Sequence, residues 1–310
     1  MKNKLKGKDY LTIMDYDKEE IEYILDVSKS LKQKQAMGIP HDYMRGKTYA
    51  MIFEKKSTRT RTSFQCGTAQ LGIQSFFMQS EATQLGRGEP IRDTARVIDR
   101  YADGLFIRTF EQEIVEEYAK HMKNPVINAL TNLTHPCQGL ADLLTIREKK
   151  GGFEGLKVCY TGDVYNVCHS LMLGSTLFGM DITVAAPKGF DPDERIMKKC
   201  KENAKRTGSN IKIVRDLKKG VKDADVVYGN TWHSMGTADK EKRIEQFKGF
   251  TVTDDHMKMA RDDAIFMHCM PAYRGEEMTN EVIEGEYSVI IDQAENRMHT
   301  EKAVVSLVTL

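Results

Sequence analysis

Short apolar runs alternate with segments of helical periodicity along nearly the whole chain, and this alternation limits the fold more than any other feature. The runs "TYAMIF" (48–53), "LKVCYT" (156–161) and "AIFMH" (264–268) have the length and composition of buried strands. The segments between the runs carry apolar residues at helical spacing. Strands that alternate with helices form parallel sheets covered by helices, so the sequence predicts an α/β protein.

The length of the chain predicts two domains. A chain of 310 residues is longer than one hydrophobic core usually supports. The spacer "EKKGGFEG" (148–155) separates one series of predicted strands from the next. We therefore predict two doubly wound parallel-sheet domains, with ligands at the carboxyl ends of their strands and in the crevice between the domains.

Composition excludes several classes of protein. Lys and Arg number 46 against 45 Asp and Glu, which argues against a protein that coats nucleic acid or an anionic membrane. No apolar run reaches membrane-spanning length, and the lysine-bearing N-terminus does not resemble a secretory signal. The six cysteines form no CxxC pair, so we expect free thiols and a cytoplasmic protein.

The stretch "STRTR" (57–61) predicts an anion site. It follows a predicted strand and opens a predicted helix from about 57 to 71, where free backbone N–H groups and the positive end of the helix dipole favour an anion. Ser57, Thr58 and Thr60 add hydroxyl donors, and Arg59 adds a planar guanidinium that can bind two phosphate oxygens. A capped helix with solvated arginines is the alternative for an isolated run. The GxxxxGK pattern is absent, so ATP is not predicted.

Three further groups of polar residues follow predicted strands. Arg108 ends "GLFIR", "HPCQ" (135–138) follows "NPVINAL", and "HCMPAYRGEE" (268–277) follows "AIFM". Singly, each has an ordinary structural explanation: a paired arginine, a hydrogen-bonded histidine or a buried thiol. Their common position at strand ends indicates a functional site instead.

Taken in order, the motifs "STRTR", "HPCQ", "GD..N", "W.SMG", "HCMPA" and "ENR" resemble those of the aspartate/ornithine carbamoyltransferase family over nearly the whole chain. The "HCMPA" and "W.SMG" motifs resemble the ornithine branch. The resemblance implies transfer of a carbamoyl group from carbamoyl phosphate to a small amino acid, with ornithine giving citrulline and phosphate. It implies no metal and no cofactor, residues 1–147 with 293–310 as the carbamoyl-phosphate domain, and residues 148–292 as the amine domain.

The resemblance also implies site residues. Those for carbamoyl phosphate are Ser57, Thr58, Arg59, Thr60, Gln84, Arg108, His135, Gln138, Met270 and Arg297. Arg59, Arg108, His135, Gln138, Cys269 and Arg297 are implied to take part in catalysis. We interpret Arg61, the two lysines before "STRTR", Asp292 and Glu295 as structural.

The polar loop "QSEATQLGRGEP" (79–90) resembles the family segment that reaches into a neighbouring subunit's site, where Gln84 would contact the phosphate. The resemblance therefore implies a homotrimer or a multiple of trimers. The alternative for this loop is an ordinary surface loop.

The amine site departs from the ornithine pattern at two positions. The resemblance implies Asn166, Asn230, Ser234 and Met235 as amine-binding residues, with Asp163 nearby. Tyr165 replaces the first of two usual asparagines, and Asn230 replaces an expected aspartate. A charge-assisted hydrogen bond contributes about 1.5–3 kcal/mol against about 1 kcal/mol for a neutral one. Putrescine, an acylated ornithine or another amine is therefore the alternative acceptor.

Two other classes of protein are alternatives. A nicotinamide-dependent dehydrogenase would need a GxGxxG turn, whereas "YTGDVYNV" offers Gly162 alone. A silent paralogue that binds an anion is the second alternative. The presence of "STRTR", Arg108, His135, Gln138 and Cys269 argues against it.

Overall fold

The computed structural model describes residues 4–55, 57–79, 88–233 and 239–310. The chain divides into two compact units, Met1–Leu144 with Glu295–Leu310 and Thr145–Ala294. Each unit contains one sheet with parallel strand pairs, which confirms the predicted α/β class with two parallel-sheet domains. The assignment of residues 1–147 with 293–310 and of 148–292 to two different substrates stays a prediction.

The first unit is built on a four-stranded sheet. Its strands, in the spatial order β2-β1-β3-β4, are β1 (Thr48–Phe53), β2 (Gln74–Met78), β3 (Leu105–Arg108) and β4 (Val126–Leu130). The helices are α1 (Lys18–Ala36), α2 (Arg59–Gln70), α3 (Ile91–Tyr101), α4 (Gln112–His121) and the first turns of α5 (Pro136–Lys150), and a 3₁₀ turn covers Ile13–Asp15.

The central strands of this sheet are apolar because both of their faces are covered. Ala50 and Ile52 of β1 pack with Leu105 and Ile107 of β3 in one buried cluster. Strand β2 was not predicted. It is an edge strand whose residues are exposed or half-buried, so its sequence "QSFFM" lacks the continuous apolar character of a central strand.

The second unit is built on a five-stranded sheet. Its strands, in the order β7-β6-β5-β8-β9, are β5 (Lys157–Thr161), β6 (Asp181–Ala185), β7 (Ile211–Val214), β8 (Val226–Gly229) and β9 (Ile265–His268). The helices are α6 (Asn166–Leu177), α7 (Glu194–Thr207), α8 (Leu217–Val221), α9 (Lys240–Gln246), α10 (Asp254–Met257), α11 (Asn280–Glu284) and the first turn of α12 (Ile290–Thr309). The rest of α12, from Glu295 onward, belongs to the first unit.

A strand predicted over "YSVIID" (287–292) is wrong. Ser288 forms an isolated bridge beside Phe266, and the backbone N–H of Val289 donates to the carbonyl of Phe266 at 3.0 Å. Pairing stops there because the carbonyl of Val289 accepts from the N–H of Gln293, which begins helix α12. The apolar run has the composition of a strand, and a buried helix start has the same composition.

Both sheets reverse their strand order at an interior position. In the first sheet the reversal lies between β1 and β3, and in the second it lies between β5 and β8. At such a point the chain leaves the two neighbouring strands in opposite directions, so the loops after them diverge and leave a crevice that can bind a ligand. The loops that follow these four strands contain many of the predicted site residues.

Candidate active site

The loop after β1 ends in a helix start that has no side-chain cap. Thr58 is the N-cap residue of α2, and its side chain makes no capping hydrogen bond. Ser57 and Arg59 are half-buried, Thr58 is exposed and Thr60 is buried. A helix start without a side-chain cap leaves first-turn N–H groups able to bind an anion.

Arg108 lies beside this turn because β1 and β3 are neighbours. Phe53 and Arg108 are register partners at the ends of the two strands. The N–H of Glu54 donates to the carbonyl of Arg108 at 2.9 Å, which holds the two strand ends together. The Arg108 side chain is 5% exposed, so a guanidinium is buried next to the start of α2.

Arg297 links α2 to α5 through the side chains of two predicted site residues. Its Nη1 donates to Oε1 of Gln138 at 2.8 Å. Its Nη2 donates to Oγ1 of Thr60 at 3.0 Å. All three residues are at least 95% buried. Arg297 therefore brings together residues that lie 159 and 237 positions apart from it in the sequence.

His135 is held in its neutral form. Burial lowers the pKa of this imidazole well below its ordinary range. The positive charges of Arg297, Arg108 and Arg59, in that order, lower the pKa further. Three guanidinium groups thus act on one buried histidine. Such a concentration of positive charge favours a bound anion.

The lysine and arginine neighbours of the turn have separate contacts. Arg61 lies 3.8 Å from the centroid of the Phe77 ring, so its side chain stacks on β2. Lys55 is buried, its Nζ donates to Oδ1 of Asn132 at 2.6 Å, and burial next to Arg108 lowers its pKa to about 8. The burial of Lys55 was not predicted, since nothing in "FEKK" distinguishes a buried lysine from a solvated one. Lys56 lies outside the described residues.

In the second unit, the loops after β5 and β8 approach each other closely. Gly162 has a φ of +132°, and a Cβ there would lie 2.2 Å from the carbonyl oxygen of Asn230. The N–H of Asn230 donates to the carbonyl of Thr161 at 2.8 Å. The glycine of the "GD..N" motif is therefore required by this approach of the backbone.

Asn230 and Cys269 are hydrogen-bonded to each other. The Cys269 thiol donates to Oδ1 of Asn230 at 3.2 Å, and Nδ2 of Asn230 donates to the hydroxyl of Tyr160 at 2.8 Å. Asn230 is 3% exposed, so its amide orientation is set by these neighbours. Tyr160 was not among the predicted site residues, because a tyrosine inside an apolar strand is usually part of the hydrophobic core.

The backbone of Met270 is held by the buried pair of His268 and Glu277, neither of which was a predicted site residue. The N–H of Met270 donates to Nδ1 of His268 at 2.9 Å, and Met270 has a φ of +54°. Nε2 of His268 lies 3.2 Å from Oε1 of Glu277, and both side chains are fully buried. The histidine of "HCMPA" thus supports the backbone next to Cys269.

The other predicted residues of the second unit lie near the loop after β5. Asn166 is the first residue of α6 and is buried. The Asp163 carboxylate lies 2.9 Å from Nη1 of Arg243, so it is paired within the protein. Gln84, Ser234 and Met235 lie outside the described residues.

Neither a metal site nor a membrane span is found in the described parts of the chain. No group of three or more His, Cys, Asp or Glu side chains among them could hold a metal ion. Within the same ranges, no helix is long and apolar enough to cross a bilayer.

The sequence matches two models of one protein family. Residues 8–148 match "Aspartate/ornithine carbamoyltransferase, carbamoyl-P binding domain". Residues 154–308 match "Aspartate/ornithine carbamoyltransferase, Asp/Orn binding domain". Together these matches span nearly the whole chain and confirm the predicted resemblance.

Individual relatives agree with the family match. The ornithine carbamoyltransferase of Pyrococcus abyssi is 49% identical over 304 residues, covering 98% of this chain and 96% of that protein. The ornithine carbamoyltransferase of Anoxybacillus flavithermus is 50% identical over 302 residues, covering 97% and 96%. The solved structure of ornithine carbamoyltransferase from Pyrococcus furiosus has a TM-score of 0.95 at 48% identity and covers 98% of each chain. The chain therefore belongs to the aspartate/ornithine carbamoyltransferase family.

Proposed function

We propose that this protein transfers the carbamoyl group of carbamoyl phosphate to ornithine, giving citrulline and phosphate. The observation that carries the proposal is the group of three guanidiniums, Arg59, Arg108 and Arg297, acting on the buried neutral His135. Arg59, Arg108 and His135 lie in the part of the chain that matches the family's carbamoyl-phosphate domain, and Arg297 belongs to the same compact unit. Relatives about half identical over the whole chain are ornithine carbamoyltransferases, which supports ornithine as the acceptor.

The phosphate is bound at the start of α2. Backbone N–H groups at 57–60 and the hydroxyls of Ser57, Thr58 and Thr60 donate to its oxygens. Arg59 binds two oxygens through its planar guanidinium, a geometry that lysine cannot reproduce. Arg108 lies between the phosphate and the carbamoyl oxygen. These donors stabilise phosphate as it leaves, so the reaction needs no covalent bond between the carbamoyl group and the enzyme.

The carbamoyl group is oriented by His135, Gln138 and the backbone of Met270. The neutral imidazole of His135 faces the carbamoyl oxygen, where negative charge develops as the amine attacks. By resemblance, Gln138 and the backbone carbonyl of Met270 orient the carbamoyl NH₂, and Arg297 completes the carbamoyl-phosphate side. One preorganised donor contributes about 3–4 kcal/mol to such a transition state. Orientation of the two reactants contributes about 7–11 kcal/mol more.

The amine substrate is bound by residues of the second unit. Asn166 binds the carboxylate of the amino acid, and Cys269 lies near the attacking amine. Asn230 offers the amine a neutral oxygen in place of a carboxylate. Ser234 and Met235 complete this site by resemblance, since they lie outside the described residues.

The assembly is proposed as a homotrimer or a multiple of trimers, because the segment around Gln84 resembles the family's intersubunit loop. Two inactive variants test this. A mixture of Arg59→Ala and Gln84→Ala chains, unfolded and refolded together, is expected to regain activity through sites that combine one intact residue from each chain. No regain, with light scattering showing a monomer, would contradict a shared site. We also propose a cytoplasmic location, which the six free thiols support.

The acceptor is tested with a colorimetric assay for ureido products. Carbamoyl phosphate is supplied with ornithine, acetylated ornithine, putrescine, β-alanine or aspartate in parallel. We expect ornithine to give the highest kcat/KM. If another amine is used and ornithine is not, the acceptor assignment is wrong and the chemistry is retained. In that case Asn230→Asp is expected to raise the use of ornithine. Consumption of carbamoyl phosphate with no acceptor-dependent product would favour the silent paralogue.

A further inference from the structure

Glu301 is a buried carboxyl group one helical turn beyond Arg297. It is 2% exposed, and its Oε1 accepts a hydrogen bond from Nη2 of Arg297 at 3.0 Å. The two residues are spaced i, i+4 on α12, which places them on the same face of the helix. Neither the family resemblance nor the motifs assign Glu301 any role.

The contact with Glu301 shares a nitrogen with the proposed substrate site. Nη2 of Arg297 donates both to Oε1 of Glu301 and to Oγ1 of Thr60, each at 3.0 Å. An anion bound beside Thr60 would therefore approach the same guanidinium that Glu301 neutralises. Two negative groups on one buried cation repel each other.

Burial of Glu301 outweighs the groups that stabilise its negative charge. Burial raises the pKa of Glu301 to about 7, against the lowering effects of the Arg297 charge and the Ser63 hydroxyl. From α5 the titratable group near Glu301 is the buried thiol of Cys137, whose own pKa is raised by burial and then by the Glu301 charge. From α2 the nearby group is the uncharged Ser63. Burial thus moves the titration of Glu301 towards neutral pH.

We propose that Glu301 is the internal counter-ion of Arg297, and that it takes up a proton when Arg297 exchanges it for the phosphate of carbamoyl phosphate. The proposal rests on the proposed role of Arg297 in binding that substrate. It makes Glu301 a positioning residue, because it acts through Arg297 and does not touch the substrate.

The direction of the pH effect follows from linkage. A bound anion disfavours the ionised form of Glu301, so the protonated form binds carbamoyl phosphate more tightly. In the wild type, KM for carbamoyl phosphate is expected to rise as pH increases above about 7. Each unit by which the anion raises the pKa of Glu301 corresponds to about a tenfold change in affinity.

The first test compares KM for carbamoyl phosphate between pH 6.5 and 9 in the wild type and Glu301→Gln. Glutamine keeps an acceptor oxygen for Arg297 and cannot titrate. We expect Glu301→Gln to lose the rise in KM and to bind carbamoyl phosphate about threefold to tenfold more tightly than the wild type at pH 8.5. Glu295→Gln, an exposed change on the same helix, is expected to keep the wild-type profile. A wild-type profile in Glu301→Gln, or weaker binding at every pH, would overturn the proposal.

The second test uses the wild type alone and stays informative if Glu301→Gln does not fold. Sulfate, which does not titrate near neutrality, is bound at pH 7.5 in two buffers of different ionisation enthalpy, and calorimetry gives the protons taken up. Net uptake of protons supports the proposal, and the absence of proton uptake contradicts it. Arg297→Ala distinguishes a failure of the proposed role of Arg297 from a failure of the proposed role of Glu301. Unchanged carbamoyl-phosphate kinetics in that variant would refute the proposed function of Arg297, whereas impaired kinetics with no proton uptake in the wild type would refute only the role of Glu301.

Discussion

The side-chain amide of Asn230 donates to the hydroxyl of Tyr160 at 2.8 Å, and this bond fixes the direction in which the amide faces. The Tyr160 hydroxyl donates its hydrogen to the backbone carbonyl of Asp163 at 2.6 Å, so towards residue 230 it can only accept. The amide oxygen consequently faces the thiol of Cys269. An aspartate at position 230 has no hydrogen to donate to Tyr160, which explains why asparagine fits here.

Asn230→Asp is expected to destabilise the fold by about 1–3 kcal/mol, because a buried carboxylate would face the Tyr160 oxygen without a donor between them. The measurement is the free energy of unfolding in urea. Tyr160→Phe removes the opposing oxygen, so the double variant should be more stable than the sum of the two single changes predicts. Effects that add to within about 0.5 kcal/mol would show that the two side chains are not coupled.

Arg59→Ala is expected to abolish turnover, because the proposed phosphate site loses its bidentate donor. Arg61→Ala provides the matched control two residues away. Its guanidinium stacks on Phe77, so we expect near-normal kinetics and a loss of about 0.5–1 kcal/mol in the free energy of unfolding. Near-normal turnover in Arg59→Ala would refute the phosphate assignment.

The lowered pKa of His135 predicts a pH dependence of stability. The folded protein keeps His135 neutral, whereas the unfolded chain binds a proton as pH falls through its ordinary value. This residue therefore makes the free energy of unfolding decrease below about pH 6.5, by at most about 1.4 kcal/mol per pH unit. Urea unfolding of His135→Gln between pH 5 and 7 should show a shallower slope than the wild type. His121→Gln, at the end of α4, serves as the control, and an unchanged slope in His135→Gln would contradict the prediction.

Cys269 is tested by two substitutions that differ in one donor. Serine keeps a hydrogen for Oδ1 of Asn230, and alanine removes it. We expect Cys269→Ser to retain most of the kcat/KM for the amine and Cys269→Ala to lose about fivefold or more, which corresponds to the net value of one hydrogen bond. The readout is the rate of citrulline formation at varied ornithine. Equal losses in the two variants would show that the thiol's bond to Asn230 does not organise the site.

Most strands and helices and the turn at "STRTR" could be predicted from the sequence, because they depend on apolar runs and on neighbouring residues. The edge strand β2 and the start of α12 were missed or misassigned, since edge strands lack continuous apolar residues and buried helix starts imitate strands. The burial of Lys55 and Glu301 could not be predicted from neighbouring residues, because burial of a side chain is decided by elements distant in the sequence. The bond between Tyr160 and Asn230 likewise depends on the pairing of β5 with β8.

The central claim is that phosphate release and carbamoyl transfer to ornithine are one reaction. It is tested most directly by measuring citrulline and phosphate together in the same samples, with carbamoyl phosphate and the wild-type protein, corrected for spontaneous decay with heat-inactivated protein. We predict equal amounts of the two products, and neither product above background when ornithine is omitted or Arg59→Ala is used. Phosphate released by the wild type without ornithine, or without matching citrulline, would contradict it.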